Sequence, residues 1–202
     1  MNLIVVGKPG SGKTSWCREY INWLGRHGFS VGGIISPVTY KHGRRAGFNA
    51  IDLLTDKETP FACLSRHRSC NGGERVGDYI ISRDGILFAC GAIERAVDSK
   101  CDLVVIDEVG ILELRGKGLM PAVELALASA VNVLLVVRNS LKEALQRRFP
   151  KCEFTVIADL TLFPPSASQR ANWKNHEWLS IARPQSVDSP KNQIVEQYIY
   201  RR

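Results

Sequence analysis

Short apolar runs of strand length recur along this chain: Leu3–Val6, Val31–Ser36, Leu103–Ile106, Val131–Val137 and Glu153–Ala158. Continuous apolar runs bounded by polar or glycine-rich stretches fit strands buried on both faces of a parallel sheet. Helical patterns lie between them. Lys13–Leu24 places Trp16, Tyr20 and Leu24 on one face with Ile21 beside them, and should end near Gly25 or Gly28. Ser82 is placed to cap a second helix, in which Ile86, Cys90, Ile93 and Val97 share a face. A third pattern runs over Gly118–Ser129 through Leu119, Val123 and Leu127. Ser140-Leu141-Lys142-Glu143 reads as a capping box opening a helix that stops before Pro150. Between Pro37 and Ile81 the helical period disappears. Lys41-His42-Gly43-Arg44 suits a hairpin turn, Ala46–Leu54 an extended segment and Thr55–Thr59 a polar turn. Arg75–Ser82 returns as extended chain after a polar loop. Strands alternating with helices predict an α/β fold, a mostly parallel sheet flanked by helices. The stretch 37–81 is then an antiparallel β insertion over or beside that sheet.

The first strand runs into Gly7-Lys8-Pro9-Gly10-Ser11-Gly12-Lys13-Thr14, a complete G-x-x-x-x-G-K-[ST] loop, followed by Ser15 in the first helix. Strand, glycine-rich loop and helix start form the setting of a phosphate cradle. Gly7, Gly10 and Gly12 are expected to free the backbone to turn its N–H groups inward, and the helix N-terminus adds partial positive charge. Lys13 is placed to meet β- and γ-phosphates, and the Thr14 hydroxyl to ligate Mg²⁺. The strand Leu103–Ile106 ends in Asp107-Glu108. A carboxylate at such a strand tip should lie beside the loop. Asp107 is therefore the expected Mg²⁺ ligand and Glu108 the group that polarises an attacking water.

The composition is that of a soluble globular domain, with 45% hydrophobic and 23% charged residues. No apolar run has the length to span a membrane and the N-terminus lacks signal-peptide features, so a cytoplasmic chain without a membrane partner is expected. The cysteines at 17, 63, 70, 90, 101 and 152 contain no C-x-x-C and are expected to be reduced thiols. Cys63, His67 and Cys70 have a spacing that could hold Zn²⁺, but no second ligand pair follows. Net charge is +7, which suits a triphosphate ligand and gives weak support to a nucleic-acid partner. After the first 163 residues the texture changes. Residues 164–202 carry four prolines and many Ser, Asn and Gln, with six basic and three acidic side chains, and read as a basic tail.

Taken in order, Gly7–Thr14, Val31-Gly32-Gly33, Gly43–Phe48, Arg75–Tyr79 and Val105–Leu114 resemble the small nucleoside-triphosphatases of the thermophile type, relatives of the cancer-related nucleoside-triphosphatase. The likeness covers roughly residues 1–160. It implies a RecA-like sheet and slow, Mg²⁺-dependent hydrolysis of ATP, GTP and other triphosphates with loose base preference. The chain departs from that pattern at Ile111, where the family has a basic residue, at Ser36-Pro37-Val38, where an acidic residue is common, and at Arg138-Asn139.

The leading expectation is thus a nucleoside-triphosphate phosphohydrolase, with residues 1–163 as its P-loop domain. Arg44, Arg45, Arg115 and Arg138 are the arginines that could stabilise charge on the γ-phosphate. Arg138 is the strongest, because a strand flanking the first ends near that phosphate. Two alternatives stand beside it. One is a nucleotide or small-molecule kinase, in which Arg44, Arg45, Arg66, Arg68 and Arg75 line a lid over the acceptor. The other is a triphosphate-switched RNA-associated protein using the tail, where Trp173 and Trp178 interleave with Arg170, Lys174 and Arg183.

Overall fold

The computed structural model describes residues 1–67, 70 and 73–161. The expectations for 164–202 lie outside the described residues. Along the chain run β1 (Asn2–Gly7), α1 (Lys13–Arg26), β2 (Val31–Ile35), β3 (Val38–Lys41), β4 (Arg44–Asp52), β5 (Glu58–Leu64), β6 (Glu74–Val76) and β7 (Tyr79–Ile81). Then follow α2 (Arg83–Asp98), β8 (Leu103–Val109), α3 (Ile111–Leu114), α4 (Met120–Ala128), β9 (Asn132–Arg138), α5 (Lys142–Arg148) and β10 (Phe154–Ile157).

The parallel strands lie in the order β10-β1-β9-β8-β2. The apolar runs of β1, β8 and β9 are buried on both sides because helices cover both faces, while the edge strand β10 is half-buried. On one face α1 packs Trp16, Cys17, Tyr20 and Leu24 against Leu3, Val5, Val105 and Leu134. On the other, α2, α4 and Leu145 of α5 cover Ile4, Val104, Ile106 and Leu135. The buried line of α2 is Gly85, Ala89, Ala92, Ile93 and Ala96, while Ile86, Cys90 and Val97 are half-buried at its margins. Small residues sit where the helix approaches the strands most closely, so the expected large-residue face is rotated. Among the described residues no helix is long and apolar enough to cross a membrane.

The β insertion lies beside the parallel sheet and continues it. β4 pairs antiparallel with β2 (Ile34 with Asp52, Ile35 with Ile51), and β5, β7 and β6 follow outward. The β3–β4 hairpin turns at His42-Gly43, as the sequence predicts. Asp52 fastens the insertion from within. Its buried carboxylate accepts from Leu54 N (2.9 Å), Thr55 Oγ1 (2.7 Å) and Arg95 Nη2 of α2 (2.9 Å).

Two further expectations are corrected. Cys63 and Cys70 form a disulfide, so they are neither reduced thiols nor a pair of zinc thiolates. Their Cα atoms lie 5.8 Å apart, within the span of such a bond. The Ser140 capping box does not form either. Asn139–Leu141 makes a 3₁₀ turn, and α5 starts at Lys142 with no side-chain cap.

Candidate active site

β1 delivers Gly7 to the C-terminal edge of the parallel strands, and α1 begins six residues later. Gly10 and Gly12 have φ of +77° and +86°, a region that favours glycine. Gly7 is required for a different reason: a Cβ there would run into Ser11 Oγ and lie 3.3 Å from Lys13 Cγ. The loop thus folds tightly on itself, with Ser11 N donating to Lys8 O at 3.2 Å. Lys8–Gly12 and Ser15 are exposed, Gly7 and Thr14 half-buried, and Lys13 buried. Lys13 Nζ donates to Gly7 O (3.2 Å) and Lys8 O (3.0 Å), so its charge sits inside the loop's curve. Gly12 gives α1 no side-chain cap and the first turn holds no acidic residue. Its N–H groups and the helix dipole therefore favour an anion here.

Asp107 is the last of the five consecutive buried residues that open β8, and it meets α1. Thr14 Oγ1 donates to Asp107 Oδ2 at 2.7 Å, although β9 lies between β8 and β1. The helix, crossing the sheet face, bridges that gap. Ser36 N donates to the same oxygen at 3.2 Å, and Ser36 Oγ donates to the Asp107 carbonyl. Burial pushes the Asp107 carboxyl up to about 6, and the bonds from Thr14 and Ser36 offset only part of that rise. Ser36 was missed by sequence reasoning. Its signal was its place just past β2, the strand that pairs with β8 (Ile34 with Ile106). The Thr14 hydroxyl and Asp107 carboxylate are hard oxygen donors of the kind Mg²⁺ takes. No group of three or more His, Cys, Asp or Glu among the described residues could hold a metal. A pair of protein oxygens completed by substrate phosphates is how Mg²⁺ is commonly held.

Glu108 occupies a register shift in which Asp107 pairs with Val136 and Val109 with Val137, so it is the extra residue of a bulge. Bulges re-aim side chains at strand ends. Arg138, the last residue of β9, is the ladder partner of Gly7. Its Nε lies 2.7 Å from Glu108 Oε1, with the two side chains 43% and 28% exposed, so water reaches the pair.

The other arginines are placed differently. Arg45 lies over the Phe48 ring at 4.7 Å and the Tyr79 ring at 5.8 Å. Arg75 Nε donates to Gly77 O in its own turn. Arg44 is exposed beside the hairpin turn and Arg115 is exposed at the end of α3. Glu113 is buried, accepts from Gly110 N (2.8 Å) and Leu119 N (3.1 Å), and so fastens the chain between β8 and α4. Burial raises its pKa.

This constellation has relatives. A family model described as NTPase matches residues 2–163. Nucleoside-triphosphatase THEP1 of Methanopyrus kandleri is 37% identical over 138 residues, 68% of this chain and 73% of that protein. The protein of the same name from Thermofilum pendens is 33% identical over 175 residues, 83% and 93% of the two chains. The crystal structure of THEP1 from the hyperthermophile Aquifex aeolicus matches with a TM-score of 0.58 and 25% identity, over 78% of this chain and 89% of that one. The solution structure of a human cancer-related nucleoside triphosphatase shares the fold, with a TM-score of 0.60 and 21% identity over 84% and 92%. With its mostly parallel sheet, its phosphate loop and these matches, the chain belongs to the NTPase family and is a nucleoside-triphosphate hydrolase.

Proposed function

We propose that this enzyme converts ATP, GTP and other nucleoside triphosphates to the diphosphate and phosphate in a Mg²⁺-dependent reaction, slowly and with loose base preference. The observation that carries the reading is the 2.7 Å contact between Thr14 and Asp107 at the foot of the loop, which joins two Mg²⁺-type ligands from distant parts of the sequence. The residues fit the metal: Thr14 and Asp107 would hold it. When bound, it neutralises charge on the β- and γ-phosphate oxygens. Asp107 would ligate as the carboxylate, the form that a bound dication favours.

The loop Gly7–Ser15 binds phosphate oxygens through its N–H groups, and Lys13 supplies a fixed positive charge against them. Glu108 accepts a proton from water as the new O–P bond forms and the bond to the diphosphate leaving oxygen breaks. We read Arg138, in register with Gly7 and 2.7 Å from Glu108, as the arginine that serves the catalytic end of the site, since Arg45 is stacked on aromatic rings. In this reading residues 1–163 are the hydrolase domain and 164–202 a basic appendage.

Phosphate release from ATP, GTP, CTP and UTP, with Mg²⁺ or with EDTA and without any acceptor, tests the proposal. Release from all four with Mg²⁺ and none with EDTA is expected. Diphosphate formed only with an added acceptor, the phosphoryl group ending on that acceptor rather than as free phosphate, would make the chain a kinase.

A further inference from the structure

The three carboxylates on β8 and the α3 turn that follows it are held in different ways. Asp107 Oδ2 accepts from Thr14 and Ser36. Glu113 accepts from two backbone N–H groups. Glu108 has one side-chain partner among the described residues, Arg138, at 2.7 Å. Glu108 also sits on a bulge, where no ladder pairing fixes its backbone as it does that of its neighbours. Arg138 is anchored far better. It closes the buried strand β9, and its backbone pairs with Gly7, the residue that opens the phosphate loop.

We infer that Arg138 is a positioning residue for Glu108. It transfers the fixed register of β1 and β9 to a carboxylate that would otherwise swing on a partly exposed bulge. The charge-assisted bond through Nε holds one carboxylate oxygen, leaving the other to take the proton from water. Misplacing a reacting group by about 1 Å can cost on the order of 10²-fold in rate, and this is the scale of effect Arg138 has. The inference rests on the reading of Glu108 as general base, and it differs from that of Arg138 as an independent phosphate ligand.

A double-mutant cycle on the full chain separates these roles, using wild type, Arg138→Ala, Glu108→Gln and the double variant, with kcat and KM for ATP and Mg²⁺. Arg138→Ala should lower kcat roughly 10²-fold with KM changed by less than about 3-fold. In the Glu108→Gln background the same change should cost less than about 3-fold, because the group it positions no longer acts as a base. Multiplying losses would mean that Arg138 works on the phosphate directly, and would overturn the positioning role. A raised KM with unchanged kcat would overturn it too, by assigning Arg138 to ground-state binding. If Glu108→Gln alone kept wild-type turnover, the reading of Glu108 would fail, and the inference with it. Arg138→Gln replaces the alanine variant if the latter does not fold, with the same expectations.

Discussion

Replacing Asp107 by Asn separates what the site costs the fold from what it contributes to function. The side chain is fully buried, and desolvation pushes its carboxyl from 3.8 up to about 6. Holding it ionised at neutral pH therefore costs about 3 kcal/mol, at about 1.4 kcal/mol per tenfold change. Asn is nearly isosteric and neutral, and its carbonyl oxygen can still accept from Thr14 and Ser36. Its amide, however, brings N–H donors into the same buried space, at a cost of about 1–2 kcal/mol. The balance favours Asp107→Asn by about 1–2 kcal/mol, or roughly 2–8 °C in melting temperature for a chain of this size. Thermal unfolding in EDTA at pH 7.5 measures it. The sign with pH follows from the raised pKa: the Asp107 contribution is fully present below the ordinary carboxylate range and is lost as pH rises through about 6. The advantage of Asp107→Asn should then grow between pH 5 and 7. With Mg²⁺ and a non-hydrolysable triphosphate the order should reverse, because wild type gains stability by binding and the variant does not. An Asp107→Asn protein less stable than wild type in EDTA, by an amount independent of pH, would refute the reasoning.

Other substitutions probe the rest of the site. Lys13→Ala removes the charge inside the loop and should weaken triphosphate binding roughly 10–10²-fold, the worth of a charge-assisted bond, with turnover falling as well; calorimetric titration and phosphate release measure the two effects. Asp52→Ala strips the anchor from the insertion and leaves Leu54 N and Thr55 without their acceptor, while Arg95 is half-exposed and turns to water; a loss of about 2–4 kcal/mol in urea unfolding is expected. Glu113→Ala should cost about 2–3 kcal/mol of stability for two lost backbone bonds, while the protein that remains folded below its melting point keeps a turnover far above that of Glu108→Gln.

Features built from contiguous residues were legible in the sequence. The loop at 7–14, the parallel strands and the Ser82 cap, which accepts from Gly85 N at 3.1 Å, all follow from local pattern. The hairpin at His42-Gly43 was legible for the same reason. What was not legible depends on register and packing. Nothing local shows that Arg138 rather than Arg45 meets Glu108, because the choice is made by the β1–β9 pairing and by the aromatic rings under Arg45. Ser36 looked like a missing acidic residue, yet its backbone and hydroxyl hold Asp107. α3 is four residues long, too short to show a period. The capping box at Ser140 failed because the chain leaving β9 first makes a 3₁₀ turn.

The central claim is that Glu108 activates water while Thr14, Asp107 and Lys13 hold the Mg²⁺-triphosphate. Glu108→Gln keeps the shape of the side chain and removes its capacity to take a proton. ATP affinity and phosphate release should be measured on this variant and on wild type, with Mg²⁺ and no acceptor. The account predicts affinity within about 3-fold of wild type, since none of the holding residues is touched, and turnover lower by roughly 10²–10⁴-fold. Turnover near the wild-type rate with normal binding would contradict it.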